Sequence, residues 1–289
     1  MAVSPGRPSR TAALTAAARA LHREEPPPWV LDDDLALQLA GDEGRALMDR
    51  LRAELPGPSL LSFCRWLCVR ARVPEDVVER AVGTGVRQYA ILGAGLDSFA
   101  YRRRGLLDRL RVFEVDRPST QAWKRRRLAE EGVGCPANLV FAPVDFERQT
   151  LREGLEVAGF DFGAPAVFSW IGVTMYLSLE AIRATVATVA ACPAGTRLVL
   201  TYNLPRAALE GLGQALDAVV GGIAAELGEP MISLFEPVDI EGLLRGEGFG
   251  EVAHFGPAEA IRTYFAGRTD VRFGGAQRLV VATVAGVGA

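Results

Sequence analysis

Three short stretches hold residues whose types and spacing suit a ligand site. Gly93-Ala94-Gly95 follows at once on a short apolar run of strand-forming residues at 88–92, and a helix-compatible segment starts near Asp97, whose side chain suits an N-cap. Strand, glycine turn and helix form the opening unit of a nucleotide-binding α/β fold. The glycines let the chain turn tightly and let a ligand approach with no Cβ in the way. A second apolar run ends in Asp116, about 20 residues on, the spacing at which an acidic side chain can take ribose hydroxyls. A third ends in Asp145-Phe146. There a carboxylate could accept from the exocyclic amine of an adenine while a backbone N–H donates to a ring nitrogen. Each acidic strand end has a plainer reading as the cap of the next helix, and it is their order that raises the odds of a site.

The third glycine of the dinucleotide fingerprint is missing, its place taken by Ser98. That glycine serves close helix–strand packing beneath a pyrophosphate, so its absence disfavours a nicotinamide oxidoreductase and suits a donor without phosphates, such as S-adenosylmethionine. Asp32-Asp33-Asp34 reads as a capped, solvated turn, since no second ligand cluster accompanies it, and no metal is expected. The two histidines, His22 and His254, stand alone, so no catalytic base is assigned.

The elements that must position these residues alternate. From residue 88 onward, strands are expected at 88–92, 111–115, 138–143, 166–171, 197–202, 251–255 and 277–284, with helices at 118–131, 179–191, 206–227 and 238–246 between them. This predicts an α/β, Rossmann-like fold: a seven-stranded, mostly parallel sheet with helices on both faces. The basic face of the helix 118–131, residues 124–127, reads as solvated. Before the sheet come helices at 11–22, 35–39, 43–55 and 60–71, and one at 75–82 that has Pro74 in its first turn. The chain of 289 residues, 49% hydrophobic, reads as one domain. Residues 1–75 form a helical cap, 76–203 and 237–289 the core, and 204–236 a lid.

At this point the chain resembles the class I S-adenosylmethionine-dependent methyltransferases of the leucine carboxyl methyltransferase family, in particular its bacterial polyketide or carboxylate O-methyltransferase branch. The likeness rests on ILGAGLDSFAYR at 91–102, VFEVDRP at 112–118, VDF at 144–146 and GVTMYL at 172–177. It implies S-adenosylmethionine as donor. Gly93 would lie against its methionine part, Gly95 would belong to the same cofactor site, Asp116 would bind the ribose, and Asp145 and Phe146 the adenine. Arg72, in the RAR segment at 70–72, matches the arginine that pairs with the donor's carboxylate, with Arg70 as the alternative if the register differs. Read without the likeness, either arginine is a surface helix charge. One departure stands out: Ile171 occupies the place of a family glutamate that faces the donor's amino group. That motivates an alternative, a donor-binding homologue that no longer transfers methyl or that catalyses another small-molecule step.

Trp170, Tyr176, Tyr202 and His22 are the candidates for lining an acceptor pocket. The Ala-, Gly- and Leu-rich stretch 209–227 suggests an apolar wall and a small apolar or polyketide-like acceptor carrying a carboxylate or hydroxyl. The net charge of -3 gives no basic field for nucleic acid. No run is long and apolar enough to span a membrane, no signal peptide is visible, and the four cysteines form no CxxC pair, so a cytoplasmic, reducing setting is expected. Oligomeric state is not legible.

Overall fold

The computed structural model describes residues 9–145 and 149–286. Three helices open the chain: α1 (Arg10–His22), α2 (Ala36–Glu54) and α3 (Gly57–Gly83). Then follow β1 (Gln88–Leu92), the short α4 (Phe99–Arg102) and α5 (Arg104–Leu107), β2 (Arg111–Asp116), α6 (Pro118–Glu130), β3 (Leu139–Pro143) and α7 (Leu151–Val157). The second half runs β4 (Val167–Trp170), α8 (Leu179–Ala190), β5 (Arg197–Asn203), α9 (Gly211–Glu226), α10 (Pro237–Gly246), β6 (Phe249–Phe255), α11 (Pro257–Tyr264) and β7 (Gln277–Val284).

The seven strands form one sheet in the order β3-β2-β1-β4-β5-β7-β6. The first five are parallel, and β7 runs antiparallel between β5 and β6. The order reverses between β1 and β4, which pair with Ile91 opposite Ser169. In open α/β sheets the crevice at the carboxyl ends of such strands is where ligands bind.

Strand alternation splits the core in two. Tyr89, Ile91, Val112, Val167 and Val199 face α1, α2 and α3. Ala90, Leu92, Phe113, Phe168, Trp170, Leu200 and Tyr202 face α7, α8 and α10. The cavity described below lies on the first of these faces.

The helices depart from expectation in instructive places. The expected helices at 35–39 and 43–55 are one, α2, kinked at Gly41, whose φ of 60° and ψ of -163° leave the helical region. Pro74 sits inside α3 and does not start a new helix, so α3 runs unbroken across residue 75. The expected helix 206–227 is a single 3-10 turn, Arg206–Ala208, followed by α9. The helix expected to start near Asp97 starts at Phe99, with the Asp97 carboxylate accepting from the Phe99 N–H at 2.7 Å. Helices α7 and α11 were not anticipated.

Two charged groups expected in solvent are buried instead. Asp33 is 1% exposed and accepts from Arg19 Nε at 2.8 Å and from the Ser98 hydroxyl at 2.7 Å, with Arg102 Nε 3.5 Å away. Burial pushes its carboxyl up, but Arg19 and Arg102 together hold it below its ordinary value. Arg19 also donates to the Leu96 carbonyl at 2.7 Å. Ser98, where the dinucleotide fold has its third glycine, thus fastens α1 and the segment after it to the glycine loop. Lys124, the chain's single lysine, is 1% exposed and donates from Nζ to Glu114 Oε2 at 2.6 Å and to the Asp97 carbonyl. It ties β2, α6 and the glycine loop together.

Candidate functional site

At the carboxyl ends of β1, β2 and β4 lies a cavity of about 540 Å³. The sheet contributes its floor: Gly93 and Gly95 from the loop after β1, Asp116 from the tip of β2, and Ser169 and Ile171 at the end of β4. Gly93 and Gly95 have φ of 66° and 49°, the left-handed region that favours glycine. A Cβ on Gly93 would stand 2.4 Å from Val173 Cγ2. Gly93→Ala is therefore expected to lower stability by about 2 kcal/mol or more, since a left-handed alanine alone costs about 1–2 kcal/mol. A thermal melt checks this, and an unchanged midpoint would refute the tight turn.

Asp116 carries part of the site's architecture. Its Oδ2 accepts from the Gly95 N–H at 2.6 Å and its Oδ1 from the Arg117 N–H at 2.7 Å. Burial pushes its carboxyl above the ordinary value, and those two amides pull it back.

The opposing wall comes from α1, α3, α9 and the segment after it. Arg70, on α3, is half-buried and lines the cavity beside Gly172. Its Nη1 donates to Gln277 Oε1 at 3.0 Å and its Nη2 to Thr15 Oγ1 at 3.3 Å. Among the described residues no carboxylate pairs with it, and burial pulls its pKa down to about 10. It remains a cation at neutral pH, held without a counter-charge.

Arg72 does not reach the cavity. Its Nε donates to Asp76 Oδ1 at 2.7 Å, on another side of α3. Two residues along a helix are about 200° apart around its axis, so Arg70 and Arg72 cannot share a face. The arginine the family likeness put second is the one at the cavity.

Three of the four expected acceptor-pocket residues lie elsewhere. Trp170 and Tyr202 are fully buried on the other face of the sheet, because side chains alternate along a strand. The residues that do line the cavity from those strand ends are Ser169, Ile171 and Asn203. The Tyr202 hydroxyl bonds instead to His254 Nδ1 at 2.9 Å. His22 is 2% exposed, with Nδ1 3.0 Å from Glu25 and Nε2 accepting from the Val30 N–H at 3.1 Å. Burial lowers its pKa, and it fastens the end of α1 to the segment that follows. Tyr176 does line the cavity, next to Thr11, and burial and the nearby Glu229 raise its hydroxyl's pKa. Asp145 follows β3 at the same edge of the sheet without lining the cavity, and Phe146 lies outside the described residues.

Sequence reasoning passed over Ser169, Thr15, Asn203, Gln277 and Glu229. Ser169 was within reach, being two residues before Ile171 and therefore on the same face, where its hydroxyl pairs with that of Tyr89 at 2.8 Å. Thr11 and Thr15 stand one turn apart on α1, a spacing the sequence also shows. Gln277 and Glu229 carry no local signal. Leu216, Val220, Ala224 and Ile232 give the lid side an apolar surface, as the composition of 209–227 suggested. Among the described residues no cluster suits a metal ion, and no helix is long and apolar enough to cross a membrane.

A family model for leucine carboxyl methyltransferase matches residues 12–190. Over 284 residues the chain is 29% identical to the Bacillus subtilis protein named "Putative S-adenosyl-L-methionine-dependent methyltransferase YktD", covering 91% of this chain and 93% of that one. It is 33% identical over 236 residues to a Mycobacterium leprae protein of the same description, ML2020, covering 81% and 73%. Among solved structures, one titled a putative methyltransferase from Thermobifida fusca superimposes with a TM-score of 0.63 at 19% identity, over 98% of this chain and 97% of that one.

Proposed function

This chain belongs to the leucine carboxyl methyltransferase family and is an S-adenosylmethionine-dependent methyltransferase, and from that premise we propose that it methylates an oxygen of a small, apolar acceptor. The bound donor supplies a methyl group already activated on a sulfonium, so the protein's work is to position the acceptor and exclude water.

The observation that carries this reading is the Arg70 guanidinium on the cavity wall beside Gly172, with no carboxylate partner among the described residues. A cation enclosed without a counter-charge is costly unless a ligand provides one. The donor's carboxylate fits that need, through two parallel charge-assisted hydrogen bonds. Gly93 and Gly95, in the left-handed region, make the tight turn that would present the loop backbone to the methionine chain. Asp116, which holds one backbone amide on each carboxylate oxygen, is proposed to take the ribose hydroxyls with its remaining lone pairs, and the Asp145-Phe146 corner remains the proposed adenine end. Ile171 offers no hydrogen bond to the donor's ammonium, and the Ser169 hydroxyl on the same wall is the nearest replacement in kind. The apolar lid supports an acceptor with a hydrophobic body.

Incubation with methyl-labelled donor and a panel of phenols, enols and carboxylic acids tests the reading. Methyl esters release labelled methanol in alkali and methyl ethers do not, so the product identifies the oxygen. Donor binding with no transfer to any of these would sink O-methylation. Asp116→Ala is expected to weaken donor binding by roughly 10- to 100-fold per lost bond, since a hydrogen bond to a charged group contributes about 1.5–3 kcal/mol. Calorimetry showing unchanged affinity would remove Asp116 from the site.

A further inference from the structure

Glu229 is a second charge on the cavity wall with no ion-pair partner among the described residues; Arg117, at the tip of β2, is another. It lies in the loop after α9, 7% exposed, and lines the cavity beside the apolar lid residues. Its Oε2 accepts from the hydroxyls of Ser9, at 3.2 Å, and Thr11. Among the described residues its Oε1 receives no hydrogen bond and the carboxylate meets no cation. The other carboxylates on the cavity wall are differently placed. Asp217 pairs with Arg206 at 3.0 Å, Asp116 holds two backbone amides, and Asp97 caps the Phe99 amide.

Helix α1 spaces Glu229 from Arg70. Thr11 holds Glu229, and Thr15, four residues on, holds Arg70. Residues at that spacing stand about 5–6 Å apart at Cβ. Arg70 belongs to the end of the cavity near Gly172, whereas Glu229 belongs to the lid. Once the donor's carboxylate occupies Arg70, the uncompensated charge at the lid end of the cavity is negative, while Arg117 lies beside Asp116 at the proposed ribose end.

We propose that Glu229 receives the acceptor through a hydroxyl, so that this enzyme methylates hydroxyl groups and rejects carboxylates. This rests on the donor site argued above. The acceptor O–H donates to Glu229 Oε1. As the reaction proceeds, its proton passes to that oxygen. The acceptor oxygen's lone pair forms the new bond to the methyl carbon, and the carbon–sulfur pair stays on sulfur, which leaves as a neutral thioether. A carboxylate in the same position would set like charges together in a site with little water to screen them.

The test uses the full chain saturated with S-adenosylhomocysteine, and calorimetric titration with 2-naphthol and 2-naphthoate at neutral pH. The two share a body and differ in the group offered. The wild type should bind the naphthol about tenfold or more tightly than the anion, and Glu229→Gln should shrink that ratio to about threefold or less by admitting the naphthoate. Equal or tighter binding of naphthoate by the wild type overturns the proposal, as does failure of both compounds to bind. A ratio unchanged in Glu229→Gln, with only the melting temperature lowered, overturns it too, because Glu229 would then merely fasten the lid to α1. Failure of S-adenosylhomocysteine itself to bind would instead sink the donor-site reading.

Discussion

Arg70→Leu is expected to weaken binding of S-adenosylmethionine and S-adenosylhomocysteine by about two orders of magnitude, while Arg72→Leu leaves both within about twofold. Removing one side of a desolvated, hydrogen-bonded charge pair costs about 2–5 kcal/mol, and each 1.4 kcal/mol is tenfold. Arg72 is paired with Asp76 on another face of α3 and has no such role to lose. The free protein should respond in the opposite sense. Arg70 holds an uncompensated charge inside the cavity, so leucine should leave the melting temperature unchanged or raise it. Its two partners keep other bonds: Gln277 Oε1 still accepts from Trp66 Nε1 at 3.3 Å, and Thr15 still donates to the Thr11 carbonyl at 2.9 Å. Methylthioadenosine, which has no carboxylate, supplies the control: its affinity should be the same for wild type and Arg70→Leu. Normal donor binding by Arg70→Leu, or an equal loss with methylthioadenosine, would end the assignment.

Lys124→Met should destabilise the fold by about 3–5 kcal/mol, because it strands the Glu114 carboxylate in the core. At roughly 2–4 °C per kcal/mol the melting temperature should fall by on the order of 10 °C. Burial pushes the Glu114 carboxyl up to about 7, with Lys124 acting against it. A carboxyl whose pKa is raised by folding binds its proton more tightly in the folded than in the unfolded chain. Stability linked to it is therefore greatest below the ordinary 4.5 and declines as pH rises toward 7. Without Lys124 that decline must extend further upward in pH. The gap in melting temperature between wild type and variant should thus be wider at pH 8 than at pH 5. A gap that is constant or that narrows with pH would show that Glu114 is not the source. Adding Glu114→Leu to the variant should recover much of the loss, since an apolar pair leaves no charge buried. Because Lys124 also donates to the Asp97 carbonyl, the single variant should loosen the glycine loop and lower donor affinity.

The sheet was legible in the chain because its signals are local. The apolar run Tyr89-Ala90-Ile91-Leu92 before Gly93-Ala94-Gly95 reads as a buried strand and its turn, and Gln88–Leu92 is the strand found. Asp116 at a strand tip, at the expected distance, follows from the same reading. Where local signals conflicted, packing decided. Proline at 74 reads as a helix start, yet it lies inside α3, buried against the core.

What the sequence determined by itself, then, is the alternation of elements, the glycine turn, the acidic strand tips and the family to which those motifs belong. All of these are set within a few residues of backbone preference and burial. What only the tertiary structure decided is which side each residue faces and what it meets there. Trp170 and Tyr202 had the right strands and the wrong faces, and Arg72 the right helix and the wrong angle. Asp33 and Lys124 looked like solvated charges until partners 65 and 10 residues away closed over them. Glu229 met α1 across 218 residues of chain. A charge tolerates burial only when another group satisfies it, and the identity of that group is settled by three-dimensional closure, where sequence distance has no bearing.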